Sequence, residues 1–236
     1  MANKIVKVED MLKVLDSCYE KAIDGIPHIS PTIEEMANDY SSKHKDSAAA
    51  AKKMISNQVK KCTTSGFLTG FGGAITLPVT IPANVGSVLY VQMRMIACTA
   101  YMAGYDLKSD QVQTLVYACL AGVSVNEIIK KAGVKFGEIL AVKAIEKIPA
   151  KVLTKINQKV GFRFLTKFGE KGILNLGKLV PGVGAVINGG LDYAETKVIG
   201  NRAYKAFFEG DFDFDDKNRD KEIIEIDEDD IKEAES

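Results

Sequence analysis

The sequence predicts an all-α protein, and three features of the 236-residue chain support this prediction. Apolar residues recur at helical spacing in most segments. Helix-capping residues begin these segments, and glycines or prolines end them. No segment alternates apolar and polar residues with the period of two that is typical of a half-buried strand. We therefore expect a helical bundle with a buried apolar helical hairpin, broken by glycines and prolines, and a disordered acidic C-terminal tail.

Two amphipathic helices are predicted at the N-terminus. The first covers residues 8–24 and ends at Gly25. After a short turn, the second begins with Ser30 as its N-cap and Pro31 at its first helical position. We assign these two helices, residues 1–45, to a first domain.

A stretch of very low charge follows a third helix, which is rich in alanine and lysine. From residue 62 to residue 107 only Arg94 and Asp106 are charged. A membrane span needs roughly 20 apolar residues, so length alone would allow one. However, glycines and prolines interrupt the stretch, and an arginine at the bilayer centre costs about 2.5–3.5 kcal/mol. We therefore favour a helical hairpin buried in the core, with its second helix at 82–103, over a hairpin partly inserted in lipid.

A buried Arg94 requires either an acidic partner or a row of backbone carbonyls. The candidate acids are Asp106, Glu127, Asp192 and Glu195. These residues would form either a structural ion pair or a functional polar site between helices, and the sequence leaves both interpretations open.

The remainder of a larger domain, 46–208, is predicted to be helical. Ser109 is a suitable N-cap after the low-charge stretch. Four helical regions follow, at residues 110–125, 126–147, 150–178 and 183–208. The third is expected to be broken into short pieces at its glycines, Gly161 among them.

Basic residues recur at every fourth position through the middle of this domain. This basic ladder consists of Lys143, Lys147, Lys151, Lys155, Lys159, Arg163, Lys167 and Lys171. A four-residue step advances by about 40° on an ideal helix, so the row would spiral unless the glycines reset its phase. The residues between the basic positions, Phe162 included, are largely apolar, so the segment is predicted to be apolar on one side and basic on the other.

A helix that is basic on one side and apolar on the other is typical of helices that lie on anionic lipid. The alternative is a solvated face of helices packed on a core. Nucleic acid is disfavoured as a partner, because no helix-turn-helix, RNP motif or set of zinc ligands accompanies the lysines.

The C-terminal segment 209–236 is strongly acidic, with 14 acidic and 4 basic residues, and the rest of the chain carries the compensating positive charge. We predict that this tail is disordered. Our hypothesis is that it folds over the basic ladder and weakens binding, so that deletion of residues 210–236 would raise vesicle binding. The alternative is a solubilising tail without a specific partner.

No catalytic constellation, cofactor motif or metal-binding motif is present, so we predict neither a cofactor nor a metal site. The four cysteines lack CxxC spacing and fit reduced, buried thiols. The N-terminus lacks the apolar segment of a secretory signal. These features favour a cytoplasmic protein, peripheral at the inner face of the cell membrane.

Three passages together resemble the EcsC family. They are the low-charge stretch from Gly66 to Leu107, the capped helix SDQVQTLVYACLAG and the C-terminal segment that begins PGVGAVINGG. The resemblance implies a helical bacterial or phage-type protein, often encoded with an ABC transporter linked to secretion, and no settled activity. Tyr105 and Asp106 match the most recognisable motif of the family, which adds Tyr105 to the possible polar site.

The leading interpretation is a non-enzymatic helical protein that associates peripherally with an anionic membrane or a membrane complex through the basic ladder. A soluble accessory module of an ABC-transporter or secretion-linked system is the first alternative. An enzyme with an unrecognised site near Arg94 and Asp106 is the second.

Overall fold

The structure, a computed structural model, describes residues 7–63, 83–131, 145–168 and 184–214. Within these ranges the chain forms eight α-helices and no strand, which confirms the all-α prediction. In chain order, α1 to α8 are Val8–Asp24, Ile33–Ser41, Ser47–Thr63, Ala83–Met102, Asp110–Ala121, Asn126–Lys131, Ala150–Phe168 and Gly184–Glu209. The predicted Gly/Pro-rich link of the hairpin, and the tail beyond Phe214, lie outside the described residues.

Helix α4 forms the centre of the fold. It packs against α1, α2, α3, α5 and α8. From Gly86 to Ala100 every residue except Val88 is buried. The second helix of the low-charge stretch is therefore a core helix, as predicted. None of the helices in the described ranges combines the length and the hydropathy that a membrane crossing requires.

Helix α5 begins where the sequence predicts but ends earlier. The Ser109 hydroxyl accepts a hydrogen bond from the Val112 N–H at 3.3 Å, which is the predicted cap. The helix stops at Ala121, because Gly122 adopts a left-handed conformation with φ +64°. Glycine takes this conformation without the steric penalty of a side chain, so it ends the helix before Val125, the predicted end.

The N-cap of α2 is Thr32, and the prediction of Ser30 was wrong. The Thr32 hydroxyl accepts from the Glu35 N–H at 3.1 Å, and the Glu35 carboxylate accepts from the Thr32 N–H at 2.8 Å. This reciprocal pair is a capping box. Ser30 is used instead to close the preceding turn, where its hydroxyl accepts from the Ile26 N–H at 3.1 Å.

Helix α7 runs without a break through Gly161, contrary to the prediction of short helical pieces. An interior glycine costs a helix only about 1 kcal/mol, which packing can offset. Here the glycine allows close contact with α1, since a Cβ at this position would lie 2.6 Å from Cγ1 of Val8. The phase of the basic ladder is therefore not reset within α7.

The chain stays packed on the core after α8, although the sequence predicts an acidic tail from residue 209. Phe212 and Phe214 are buried. The Val125 N–H donates to the Phe212 carbonyl at 3.1 Å, and the Phe214 N–H donates to the Ser124 hydroxyl at 2.7 Å. The first residues of the predicted tail thus bind the junction between α5 and α6.

Replacement of Gly200 by alanine is expected to destabilise the fold by about 1–3 kcal/mol, the usual range for overpacking. A Cβ there would lie 2.5 Å from Cγ2 of the fully buried Ile55, where α8 meets α3. Helix propensity alone predicts the opposite sign, a gain of about 1 kcal/mol. Chemical denaturation of the wild-type protein and the variant measures the change in the free energy of unfolding. A more stable variant would contradict close packing at Gly200.

Candidate functional site

The buried guanidinium of Arg94 is bound by backbone carbonyls. Its Nη1 donates to the Ala22 carbonyl and its Nη2 to the Pro31 carbonyl, each at 2.7 Å. The guanidinium also lies 5.5 Å from the centre of the Tyr90 ring, within the range of a cation–π interaction. Of the two kinds of partner that the sequence allows for Arg94, an acidic side chain or backbone carbonyls, the structure places carbonyls at the guanidinium.

Both carbonyls come from the connection between α1 and α2. Ala22 lies in the last turn of α1, where the final carbonyls have no partner within the helix and carry partial negative charge. Pro31 lies just before the start of α2. Arg94 therefore caps α1 and fixes the start of α2 at the same time.

A second hydrogen bond ties the same connection to α4. The hydroxyls of Ser30 and Tyr90 lie 2.6 Å apart. Within the turn, Ile26 and Ser30 exchange two backbone hydrogen bonds, at 3.0 and 2.9 Å. A shallow cleft beside the turn is lined by residues 24, 26–32 and 35, so neither Arg94 nor Asp106 faces it.

The residues of the possible polar site do not converge on Arg94. Asp106 is exposed, and its carboxylate accepts from the Lys108 N–H at 2.9 Å, which closes a local turn. Tyr105 is buried against Phe207, with ring centres 5.3 Å apart. Glu195 is half-buried on α8, and the side chain of Asp192 lies outside the described residues.

The remaining candidate, Glu127, also has a structural role. Glu127 forms an exposed ion pair with Lys131 at 3.4 Å, one helical turn away on α6. On α4, the buried Gln92 donates to the Thr196 hydroxyl of α8 at 3.0 Å. Gln92 and Thr196 thus satisfy each other between α4 and α8.

The buried thiols do not provide a nucleophile. Burial raises the pKa of Cys18, Cys98 and Cys119 to about 12. These three thiols are therefore protonated near neutral pH, and the thiolate is the reactive form. Among the described residues, no group of His, Cys, Asp and Glu side chains could hold a metal ion.

The basic ladder forms an exposed face along α7. Within the described side chains, its members Lys147, Lys151, Lys155, Lys159 and Arg163 are all exposed. None of them forms an ion pair with another described residue. Lys143, Lys171 and the side chain of Lys167 lie outside the described residues. Lys147 precedes α7 and lies next to the exposed Glu146, whereas the other four lie on the helix. We call the exposed side of α7 that carries Lys151, Lys155, Lys159 and Arg163 the basic face.

The opposite side of α7 packs on the core. Five apolar residues on that side are buried, namely Val152, Leu153, Ile156, Val160 and Phe164. They contribute to contacts of α7 with α1, α5 and α6. Helix α7 has no acidic residue, so opposite charges do not interrupt its basic face.

Phe162 lies on the basic face, whereas the sequence analysis grouped it with the apolar side of the ladder. Its side chain is 62% exposed. The spacing in the sequence indicates this position. Residue 162 follows Lys151 by 11 positions, which is about three helical turns, so the two side chains lie on the same side of a continuous helix. Position within the turn, and not hydrophobicity, decides which side of α7 this residue occupies.

Replacement of Arg94 by methionine is expected to destabilise the fold by about 3–5 kcal/mol. Two short charge-assisted hydrogen bonds, each contributing about 1.5–3 kcal/mol, would be lost and two carbonyls left without partners. Replacement of the exposed Arg163 by methionine is the matched control and is expected to change stability by less than about 0.5 kcal/mol. Urea denaturation of both variants measures the difference, and equal stabilities would contradict the capping role of Arg94.

The model of the EcsC protein family matches residues 9–208. This segment runs from the start of α1 almost to the end of α8, so it includes both Arg94 and the basic face. Comparisons with curated proteins and with solved structures found no match. The family match covers most of the sequence, and the chain therefore belongs to the EcsC protein family.

Proposed function

We propose that the protein is a non-enzymatic membrane-associated protein that binds an anionic bilayer surface peripherally through the basic face of α7. The observation that supports this most directly is the exposure of four ladder residues along one face of α7, a helix that contains no acidic residue. Anionic headgroups attract such a face, and one basic residue near the surface contributes about 1 kcal/mol.

The strength of this attraction fits reversible binding. Four residues contribute about 4 kcal/mol together if they all reach the surface. That is comparable to a single weak anchor and far below the insertion of a transmembrane helix. Because the charges are exposed, salt screens them over about 8 Å at physiological ionic strength. Binding is therefore expected to depend strongly on salt.

The two alternative functions have less support. An enzyme near Arg94 and Asp106 would need these groups at a common pocket, but the guanidinium donates to backbone carbonyls and Asp106 closes an exposed turn. An accessory module for a transporter or secretion system would bind an acidic protein surface through the same basic face. Vesicles that contain no protein separate this alternative from lipid binding.

Charge reversal of the basic face is expected to abolish binding to anionic vesicles. The variant is Lys151→Glu, Lys155→Glu and Lys159→Glu, which replaces attraction by repulsion at three exposed positions. The matched control is Lys45→Glu, Lys53→Glu and Lys108→Glu, because these lysines are also exposed but do not lie on α7. Co-sedimentation with vesicles at low and high salt measures the binding. Equal loss in both triple variants would show a net-charge effect and contradict a specific face.

Deletion of residues 215–236 is expected to raise binding to anionic vesicles at low salt. This segment has 11 acidic and 4 basic residues, and we propose that it competes with lipid for the basic face. Deletion should start after Phe214, because Phe212 and Phe214 are buried and their loss would open the core. A full-length variant with the tail acids replaced by serine or glutamine controls for chain length. Unchanged binding in both proteins would contradict the competition.

A further inference from the structure

Phe162 gives the basic face a feature that charge attraction does not require. Among the described residues, two large hydrophobic side chains are exposed, Phe162 at 62% and Ile29 at 44%. The neighbours of Phe162 in sequence, Gly161 and Arg163, occupy different sides of the helix, the first buried and the second exposed. A large apolar side chain therefore stands in water among lysines.

Helical geometry places Phe162 on the outermost line of α7. At about 100° per residue, it falls about 20° from both Lys151 and Lys155 in projection. The buried Val160 and Phe164 fall about 160° away, on the core side. In projection Phe162 thus lies between Lys151 and Lys155, near the centre of the exposed side of α7. Along the axis it lies one turn beyond Lys159, near the C-terminal end of the basic face.

The rotation of α7 is fixed by its packing. Val152, Ile156 and Val160 are buried, and Gly161 lies against Val8 of α1. Turning Phe162 toward the core would bring these residues into water. Its exposure is therefore imposed by the fold.

We propose that α7 lies in the plane of an anionic lipid surface, with Phe162 inserted at the boundary between headgroups and acyl chains. This inference rests on the proposed function and specifies how the basic face meets lipid. Helices at membrane interfaces carry basic residues on one face and Phe, Trp or Leu on the other. The apolar side of α7 is packed on the core, so Phe162 alone supplies the apolar contact with lipid. The apolar stem of Lys159, one turn away, can lie beside the ring while its ammonium group reaches phosphate. An acidic protein would need a matching apolar pocket for Phe162, whereas the lipid boundary accepts it without one.

The absence of tryptophan from the chain allows a direct test of insertion. The Phe162→Trp variant would carry a single tryptophan on the basic face, and Ile29→Trp would place one at the other exposed hydrophobic position. The probes are vesicles of phosphatidylglycerol with phosphatidylcholine, vesicles of phosphatidylcholine alone, and anionic vesicles with brominated acyl chains.

The expected result is a blue shift of Phe162→Trp fluorescence with anionic vesicles only, and quenching by brominated chains. Ile29→Trp fluorescence should stay unchanged with all vesicles. Phe162→Ala should bind anionic vesicles about tenfold more weakly, the loss expected when a buried aromatic contact is removed, with an unchanged salt dependence. Circular dichroism checks that each variant is folded.

Two results would overturn the inference, and they are distinguishable. If Phe162→Trp co-sediments with anionic vesicles but neither shifts nor is quenched, insertion is wrong while electrostatic association stands. If neither the wild-type protein nor the variants co-sediment with anionic vesicles, the proposed function fails and the inference fails with it.

Discussion

The guanidinium of Arg94 joins the central helix α4 to the connection between α1 and α2, and the arrangement of the other helices depends on this contact. A buried cation is tolerated only where acceptors are already oriented toward it. Here the acceptors are the carbonyls of Ala22 and Pro31, one at the negative end of the α1 dipole and one just before α2. Since α4 carries the arginine, the end of α1 and the start of α2 are both defined relative to the central helix.

The position of the basic face follows from this arrangement. Helix α1 packs against α4 on one side and against α7 on the other. Gly161 lets α7 approach α1 closely, and the buried residues of α7 fix its rotation. The outward direction of the lysines and of Phe162 is therefore set by contacts deep in the bundle. The basic face itself contributes little to stability, because exposed residues away from the core rarely do.

The sequence predicts correctly the helix ends that depend on local spacing. The predictions are wrong where a contact with a residue far away in the chain determines the structure. The ends of α1 and α4 follow from glycines and apolar periodicity, and they agree closely with the structure. Ser30 was a reasonable N-cap by local rules, but it bonds with Tyr90, 60 positions away, and local rules do not include that contact. Likewise, Gly161 looked like a helix breaker because its contact with Val8 is invisible in sequence. The sequence restricts the partner of Arg94 to an acidic side chain or backbone carbonyls, and the choice between the two depends on the fold.

The length of the basic face reflects a limit set by helix geometry. Basic residues four positions apart drift by about 40° per step, so Lys151 and Arg163 are separated by about 120° in projection. In the same projection the buried Val152 and Ile156 lie about 100° and 140° from Lys151, so Arg163 is already at the edge of the exposed side. A fourth step would bring the row to about 160°, close to the line of the buried Val160. A longer flat face would need a helix break to reset the phase, but Gly161 is used for packing and α7 stays continuous. The part of the basic face that a flat lipid surface can contact is therefore short. Because further charges cannot be aligned with it, an apolar contact from Phe162 would strengthen binding in a way that additional lysines could not.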